Sequence, residues 1–371
     1  MTGQPSADAW ADSCARPADP LLLAASAWDL LGREVRAVRG VPGGRNSRVY
    51  QVAFARGRPL AAKCYPEAEA DPRDRLGAEV AALHLLCAHG IECVPRVAAS
   101  DPARRCAFFT WVEGRVPDQV TDEDLDALAA FLARMQSLRE EARRARIRSA
   151  SEACFSLVQV HADVDKRVTR LREAATDPPH AKGLRAFLDH ELEPAWDTLR
   201  TWSLDRERAR GASPEEPLPP AARVLSPSDY GFHNALRDAQ GTLTFLDFEY
   251  FGFDDPAKML ADYRLHPAEP VDEKRRARFL RRMIEALGEA GVDTAGLADR
   301  VRARYPLFAL KWCAILLNEF VPADRARRRF AAGAQADTDA VRAAQLVAAR
   351  KLLRRALAAR KARPVRSGGP G

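Results

Sequence analysis

The sequence predicts an α+β fold with two lobes, a small antiparallel sheet with one helix followed by a larger and mostly helical lobe. Apolar and polar residues alternate with period two in several short segments before residue 112, which is typical of strands. From residue 122 onward, apolar residues recur almost only at helical spacing. The chain has 371 residues, 47% of them hydrophobic, which suffices for two apolar cores at about 150 residues per domain.

The first lobe is predicted over residues 21–112, after a lead-in at residues 1–20 that we expect to be mobile. A helix is predicted over residues 74–88, because the apolar residues of this segment fall on one helical face. The strands of the lobe are predicted at residues 35–41, 47–54, 59–65, 94–99 and 107–112.

The second lobe is predicted over residues 113–360, and we expect a disordered tail at residues 361–371, which is polar and contains Gly and Pro. A short β-like segment, residues 223–250, interrupts the helices. Pro306 is predicted to begin a helix, because proline is favoured at the first helical position. Helical periodicity covers residues 125–135, 157–171, 184–199, 273–287, 306–320 and 338–360.

Composition narrows the possible partners and the compartment. The formal net charge is +7, which fits an anionic ligand such as a nucleotide but does not by itself indicate nucleic acid. The seven cysteines are scattered singly, which is typical of reduced thiols. No apolar run reaches about 18 residues, and the N-terminus lacks the basic region of a secretory signal. We therefore expect a soluble cytoplasmic protein without a membrane partner.

The most informative segment contains Asp229 and, five residues later, Asn234, followed by an apolar strand that ends in Asp247, Phe248 and Glu249. Phosphoryl transfer requires a carboxylate near the attacking hydroxyl, and an amide oxygen and a second carboxylate to hold Mg²⁺. The alternative is a strand pair in which the Asp and Asn side chains only satisfy turns.

A second feature is the glycine pair Gly43 and Gly44, followed by Asn46 and Ser47, between two predicted strands. Backbone amides in such a loop can approach phosphates closely. The spacing is not that of a Walker motif, which excludes that class of nucleotide site. The alternative is an ordinary hairpin turn.

A third feature is Lys63, which lies within an apolar predicted strand, where its charge must be paired or meet an anion. The following helix offers Glu79 among small and apolar residues. A bridge from Lys63 to Glu79 and to nucleotide phosphates would satisfy both charges. The alternative is an exposed lysine at a strand edge.

These features occur in the order that is characteristic of one family. The chain resembles the aminoglycoside phosphotransferase and choline kinase family, which has a protein-kinase-like two-lobed fold. The resemblance runs from about Leu30 to Asp262 and includes two further segments, residues 79–100 and 108–114. It implies an enzyme that uses ATP and Mg²⁺ to phosphorylate a hydroxyl of a small molecule, such as a sugar, an amino alcohol or an aminoglycoside.

The resemblance also implies roles for individual residues. Asp229 would be the catalytic base, and Asn234 and Asp247 would be the Mg²⁺ ligands. Backbone groups of residues 110–112 would meet adenine, with Phe109 beside its pocket. Nucleotide binding is expected to involve Gly43, Gly44, Asn46, Ser47, Lys63, Glu79, Thr110 and Val112.

The chain departs from the family pattern at two places. Pro227 and Ser228 replace the usual His-Gly before the catalytic Asp. Lys258 and Met259 stand where the family has a Tyr-Asp pair, and Asp262 is the candidate replacement for that Asp. Neither change affects the expected base or metal ligands, so we expect activity. The first departure leaves open a non-catalytic nucleotide-binding module.

Arginine runs in the second lobe leave two further points open. The runs, such as residues 275–282, favour solvated helix faces, although a basic nucleic-acid-binding surface is an alternative that we do not expect. They also disfavour a polycationic acceptor. The roles of Glu249, Asp255 and Asp262, the identity of the acceptor and the oligomeric state remain open at the level of sequence.

Overall fold

A computed structural model describes residues 20–42, 47–66, 73–176, 181–269, 271–325 and 338–361. Within these residues, a small sheet lobe is followed by a larger helical lobe, which confirms the predicted α+β architecture. The predictions for residues 1–19, for residues 362–371 and for Gly43, Gly44 and Asn46 lie outside the described residues. No helix in the described ranges is both long and apolar enough to span a membrane.

The first lobe contains a five-stranded antiparallel sheet in the order β1-β2-β3-β5-β4. Its central strand β3 is paired on both sides, and Lys63 lies opposite Val49 of β2 and Ala107 of β5. A lysine in this central strand cannot reach solvent at a sheet edge. The strands are β1 (Val35–Val41), β2 (Arg48–Phe54), β3 (Leu60–Cys64), β4 (Val97–Asp101) and β5 (Cys106–Thr110).

Two helices flank this sheet, one more than the sequence predicted. The additional helix, α1 (Pro20–Leu31), buries Leu23 and Ala27 against the sheet but leaves Leu21 and Trp28 exposed. Its apolar residues do not form a single stripe, which explains why the periodicity did not reveal it. The predicted helix is α2 (Arg75–Ala88), capped by Asp74, whose side chain accepts from the Gly77 amide at 2.9 Å.

The second lobe is built from helices, and its largest departure from the prediction is at Pro306. This residue lies inside α10, which begins at Leu297 after Gly296 (φ 65°), instead of starting a helix. Most residues of α10 from Tyr305 to Leu310 are fully buried, so tertiary packing outweighs the cost of an interior proline. The lobe contains α3 (Asp122–Gln136), α4 (Arg139–Arg144), α5 (Leu157–Ala174), α6 (Ala181–Phe187), α7 (Glu193–Ala209), α8 (Pro256–Leu265), α9 (Glu273–Glu289), α10 (Leu297–Leu316) and α11 (Thr338–Lys361). A π-helical turn, Leu188–Leu192, joins α6 and α7 into one long helix.

In the described residues, three short strands lie within the predicted β-like segment at residues 223–250, and a fourth follows directly after it. β6 (Val224–Ser226) pairs with β9 (Gly252–Asp254), and β7 (Ala235–Arg237) pairs with β8 (Leu243–Phe245). The loop after β6 and the loop after β8 therefore lie side by side. A Cβ atom at Gly252 would lie 2.4 Å from the Ala150 nitrogen, so only glycine permits this close approach. The two loops carry the motif residues of the second lobe.

Candidate functional site

Lys63 lies at the centre of a buried cluster of carboxylates. Its Nζ donates to Glu79 Oε2 at 2.6 Å and to Asp247 Oδ1 at 2.7 Å, and it lies 3.1 Å from Glu249 Oε2. Burial alone would lower the pKa of Lys63, but the three carboxylates outweigh it and hold this pKa well above its ordinary value. The ammonium is therefore charged, and it joins the sheet lobe to the loop after β8.

Asp247 is held in a strained backbone conformation beside this lysine. Its φ is 68°, in the left-handed region that favours glycine. Burial raises the pKa of Asp247 to about 7, with help from Glu249 and Glu79 and against the opposing charge of Lys63. This crowding of carboxylates would be relieved by a divalent cation, and hard oxygen ligands of this kind are those that Mg²⁺ prefers.

The loop that carries Asp229 is shaped by its own polar groups. The Asn234 side-chain nitrogen donates to the Asp229 carbonyl at 2.8 Å, while the Asn234 amide oxygen accepts no hydrogen bond from the described residues. That oxygen is free to bind a cation. Ser228, which stands where the family has glycine, has φ 67°, and its hydroxyl donates to the Tyr250 carbonyl at 3.3 Å. The side chain thus braces one loop against the other.

Two histidines hold the Asp229 carboxylate. His233 Nε2 lies 2.9 Å from Asp229 Oδ1, and His233 Nδ1 lies 3.1 Å from Glu269 Oε2. His266 stacks on His233 with ring centroids 3.9 Å apart, and its Nε2 lies 3.4 Å from the same Asp229 oxygen. Burial lowers the pKa of His233, but its hydrogen bonds to the Asp229 and Glu269 carboxylates outweigh this effect and raise the pKa to about 9.

The sequence analysis did not select His266 or Glu269. Both follow α8 and are more than 30 residues from Asp229, so no local spacing connects them to the motif. Their only signal in the sequence is that a His and a Glu stand three residues apart in a short loop. The contribution of these residues became visible only from the fold.

The end of β5 and the two residues after it also border the site. Thr110, Trp111 and Val112 line the cavity. The Thr110 amide donates to the Arg96 carbonyl at 2.9 Å, so this N–H is not available to a ligand. The backbone groups of Val112 make no hydrogen bond within the described ranges. Val112 therefore has a backbone donor and a backbone acceptor available to adenine.

One cavity of about 1260 Å³ connects these groups. The four residues on which the functional prediction depends, Lys63, Asp229, Asn234 and Asp247, all line it. Ser47 also lines it, although its hydroxyl donates to Glu249 Oε2 at 2.8 Å. The predicted residues that line the cavity are Ser47, Lys63, Glu79, Phe109, Thr110, Val112, Asp229, Asn234 and Asp247.

The structure also defines the surroundings of the three acidic residues that the sequence left open. Glu249 is fully buried, where Ser47, Lys63 and Arg75 contact its carboxylate. Asp255 caps α8 by accepting from the Ala257 amide at 2.7 Å. Asp262 lies 3.0 Å from the Lys258 ammonium and lines the cavity.

Comparisons with known proteins identify the family and the fold of the chain. Residues 37–293, more than half of the chain, match the model of the phosphotransferase enzyme family. Choline kinase LicA from Streptococcus pneumoniae superposes with a TM-score of 0.55 and 14% identity, covering 92% of this chain and 98% of that one. Ethanolamine kinase from Plasmodium vivax superposes with a TM-score of 0.55 and 13% identity, covering 86% and 83%.

A third solved structure is a spectinomycin phosphotransferase in complex with ADP and spectinomycin. It superposes with a TM-score of 0.54 and 12% identity, covering 89% of this chain and 98% of that one. No curated protein sequence is significantly similar to the chain. At these identities the structural matches establish the fold, which is the kinase-like two-lobed fold that the sequence predicted.

Proposed function

Because the chain belongs to the phosphotransferase enzyme family, we propose that it transfers the γ-phosphate of ATP to a hydroxyl of a small molecule, with Mg²⁺ as cofactor. The observation that carries this proposal is the convergence of Lys63, Asp229, Asn234 and Asp247 on one cavity. The cytoplasm is the compartment we assign, since ATP is present there and cysteines remain reduced.

Each side chain has a distinct task in this proposal. Asp229 accepts the proton of the acceptor hydroxyl, and His233 keeps its carboxylate oriented. Lys63 offers its ammonium to the phosphates, and Glu79 holds Lys63 in position. The backbone of Val112 binds the adenine edge.

The residues present fit a magnesium ion. The free amide oxygen of Asn234 and the carboxylate of Asp247 would hold it, and the ion would neutralise negative charge on the phosphates. Glu79 and Glu249 lie beside Asp247 around Lys63, and a dication would offset this concentration of buried carboxylates.

The proposal is tested by a phosphate-transfer screen of sugars, amino alcohols and aminoglycosides with ATP and magnesium. Asp229→Ala should lower turnover by about 10²- to 10⁴-fold, which is the usual contribution of a general base, and should leave ATP binding within about twofold. The exposed Asp205 of α7 offers a matched control, and Asp205→Ala should leave turnover unchanged.

The outcomes separate the two functions that the sequence left open. Transfer that depends on Asp229 supports the enzyme. ATP binding without transfer to any acceptor contradicts it and favours a non-catalytic nucleotide-binding module. Undiminished turnover in Asp229→Ala would show that another group is the base.

A further inference from the structure

The helical wall of the cavity, beyond Asp229, carries a dense set of charges. It is formed by residues from α5, α8 and α10, from the loops beside them and from the segment before α2. The cavity of about 1260 Å³ exceeds the 300–1,000 Å³ typical of a single-ligand pocket, so a second substrate has room beside a nucleotide. The wall presents the cations Arg73, Lys166, Arg167, Arg170, Lys258 and Lys311 and the carboxylates Glu152, Asp163, Asp262 and Asp324.

Each of the four carboxylates already has a closely paired cation. The ion pairs are Glu152 with Arg167 at 2.5 Å, Asp163 with Arg167 at 3.4 Å, Asp262 with Lys258 at 3.0 Å and Asp324 with Arg170 at 2.8 Å. Lys258 also pairs with Asp254, which lies behind the wall, at 2.7 Å. Arg167 and Lys258 each face two of these carboxylates, and Lys311 and Arg73 supply the remaining positive charge. The five carboxylates are thus neutralised by the protein itself, and they offer little attraction to a polycation.

Lys311 is a buried cation of this wall, and both of its ion pairs are long. Its side chain is only 3% exposed, and its Nζ lies 3.5 Å from Asp262 Oδ2 and 3.8 Å from Glu152 Oε2. It donates no hydrogen bond to the described residues, and its nearest ring contact is Phe308 at 5.7 Å. The two carboxylates offset the cost of burying this ammonium, while its three donors remain available to an anion in the cavity. The exposed Lys166 has no ion-pair partner in the described ranges.

A chain of contacts connects this lysine to the expected base. Lys311 faces Asp262, whose Oδ1 accepts from Trp312 Nε1 at 2.8 Å. The Trp312 ring meets His266 edge-on, with centroids 5.1 Å apart, and His266 Nε2 lies 3.4 Å from Asp229 Oδ1. An acceptor with its hydroxyl at Asp229 therefore lies against the same wall that carries Lys311.

We propose that the acceptor is an anionic hydroxy compound, in which a carboxylate or a phosphate group contacts Lys311 while the hydroxyl faces Asp229. This inference rests on the proposed phosphotransferase function and narrows its substrate class. Lys166, which lines the same cavity, adds positive charge to this wall. Polycationic acceptors are disfavoured, because they would face Lys311 and the surrounding arginines.

Matched acceptor pairs test the inference on the unmodified protein. Each pair differs in the anionic group: glycerate with glycerol, gluconate with sorbitol, and glucose 6-phosphate with glucose, with ethanolamine as a cationic probe. We expect the anionic member to have the higher kcat/KM by about 10- to 100-fold, the usual strength of a charge-assisted hydrogen bond. Comparing the first two pairs with the third distinguishes a carboxylate from a phosphate.

Lys311→Met provides the second test, because it keeps the length and apolar stem of the side chain. We expect KM for the best anionic acceptor to rise about 10- to 100-fold, with KM for ATP unchanged. The matched control is Lys351→Met, an exposed lysine on α11, which should change neither constant. Thermal unfolding of both variants shows whether they fold.

The outcomes distinguish this inference from the function on which it rests. Faster transfer to neutral or cationic acceptors, or an unchanged KM in folded Lys311→Met, overturns the anionic acceptor and leaves the phosphotransferase intact. Calorimetric binding of gluconate or glucose 6-phosphate that depends on Lys311, without transfer to any acceptor, overturns the proposed function and supports the anion site. No transfer and no such binding overturns both.

Discussion

The pKa values of buried ionisable side chains in this protein depend on the charges that face them. Lys63 and Lys258 are buried yet remain charged, because carboxylates raise the pKa of each well above its ordinary value. His161 of α5 has the opposite environment. Burial lowers its pKa to about 4, assisted by Arg200 of α7 and Arg304 of α10 and opposed only by Asp165. Its Nε2 lies 2.9 Å from the Ser203 hydroxyl.

This environment predicts an acid-sensitive contribution to stability at His161. The folded pKa lies below the ordinary value of 6.5, so the unfolded chain binds the proton more readily. Stability is therefore complete above pH 6.5 and is lost as the pH falls toward 4, by up to about 3 kcal/mol. Urea unfolding between pH 7.5 and pH 4 measures this loss in the free energy of unfolding.

His161→Gln keeps a polar side chain near Ser203 but cannot titrate, so its stability should fall less steeply with acid than that of the native protein. The exposed His84 of α2 provides the control, and His84→Gln should retain the native slope. If the free energy of unfolding falls equally with decreasing pH in the native protein and in His161→Gln, the prediction is contradicted.

At the scale of structural elements, the loop between β6 and β7 determines how Asp229 is presented. Its conformation depends on Gly231, which has φ 145°. A Cβ atom there would lie 2.2 Å from Glu269 Oε2 and 3.0 Å from His233 Nδ1. His233 contacts Asp229, and Glu269 contacts His233. A shift of this loop would therefore also displace the Asp229 carboxylate.

Gly231→Ala should therefore lower kcat by about 100-fold, since displacing a catalytic group by about 1 Å can cost that much. Gly241→Ala is a suitable control, because Gly241 also has a positive φ of 88° but no atom within 4 Å of the added Cβ. We expect that variant to lose about 1 kcal/mol of stability and to retain its kcat. Equal kcat values for the two variants would show that the clash is unimportant.

At the scale of the whole molecule, Glu249 joins the two lobes. Ser47 at the start of β2 and Arg75 at the start of α2 both bind it, from positions 202 and 174 residues away in the chain. Arg75 and Glu249 are almost completely buried. Removing one partner from a buried ion pair leaves an uncompensated charge, which is usually strongly destabilising.

Arg75→Met should accordingly reduce the free energy of unfolding by about 3 kcal/mol, as measured by urea denaturation. Its neighbour Arg73 is partly exposed and lies 3.7 Å from Glu152, so Arg73→Met should cost less than about 1 kcal/mol. Similar losses in the two variants would mean that the pair contributes little to holding the lobes together.

The sequence by itself determined those elements of the fold and those motifs of the site that depend on residues close together in the chain. Alternation and helical periodicity predicted the sheet lobe and the helical lobe, and the five-residue spacing of Asp229 and Asn234 identified the loop that carries them. The apolar strand around Lys63 indicated a buried charge, and the structure places it 2.6 Å from Glu79. Local spacing and residue type express these features without knowledge of distant contacts.

Only the tertiary structure decided which distant residues meet. It placed Pro306 inside α10, brought His266 and Glu269 to Asp229, and put Ser47 and Arg75 on Glu249. It also assembled the charged wall around Lys311 from separate helices. The physical reason is that backbone preferences act over a few residues, whereas burial and charge pairing depend on how whole elements pack.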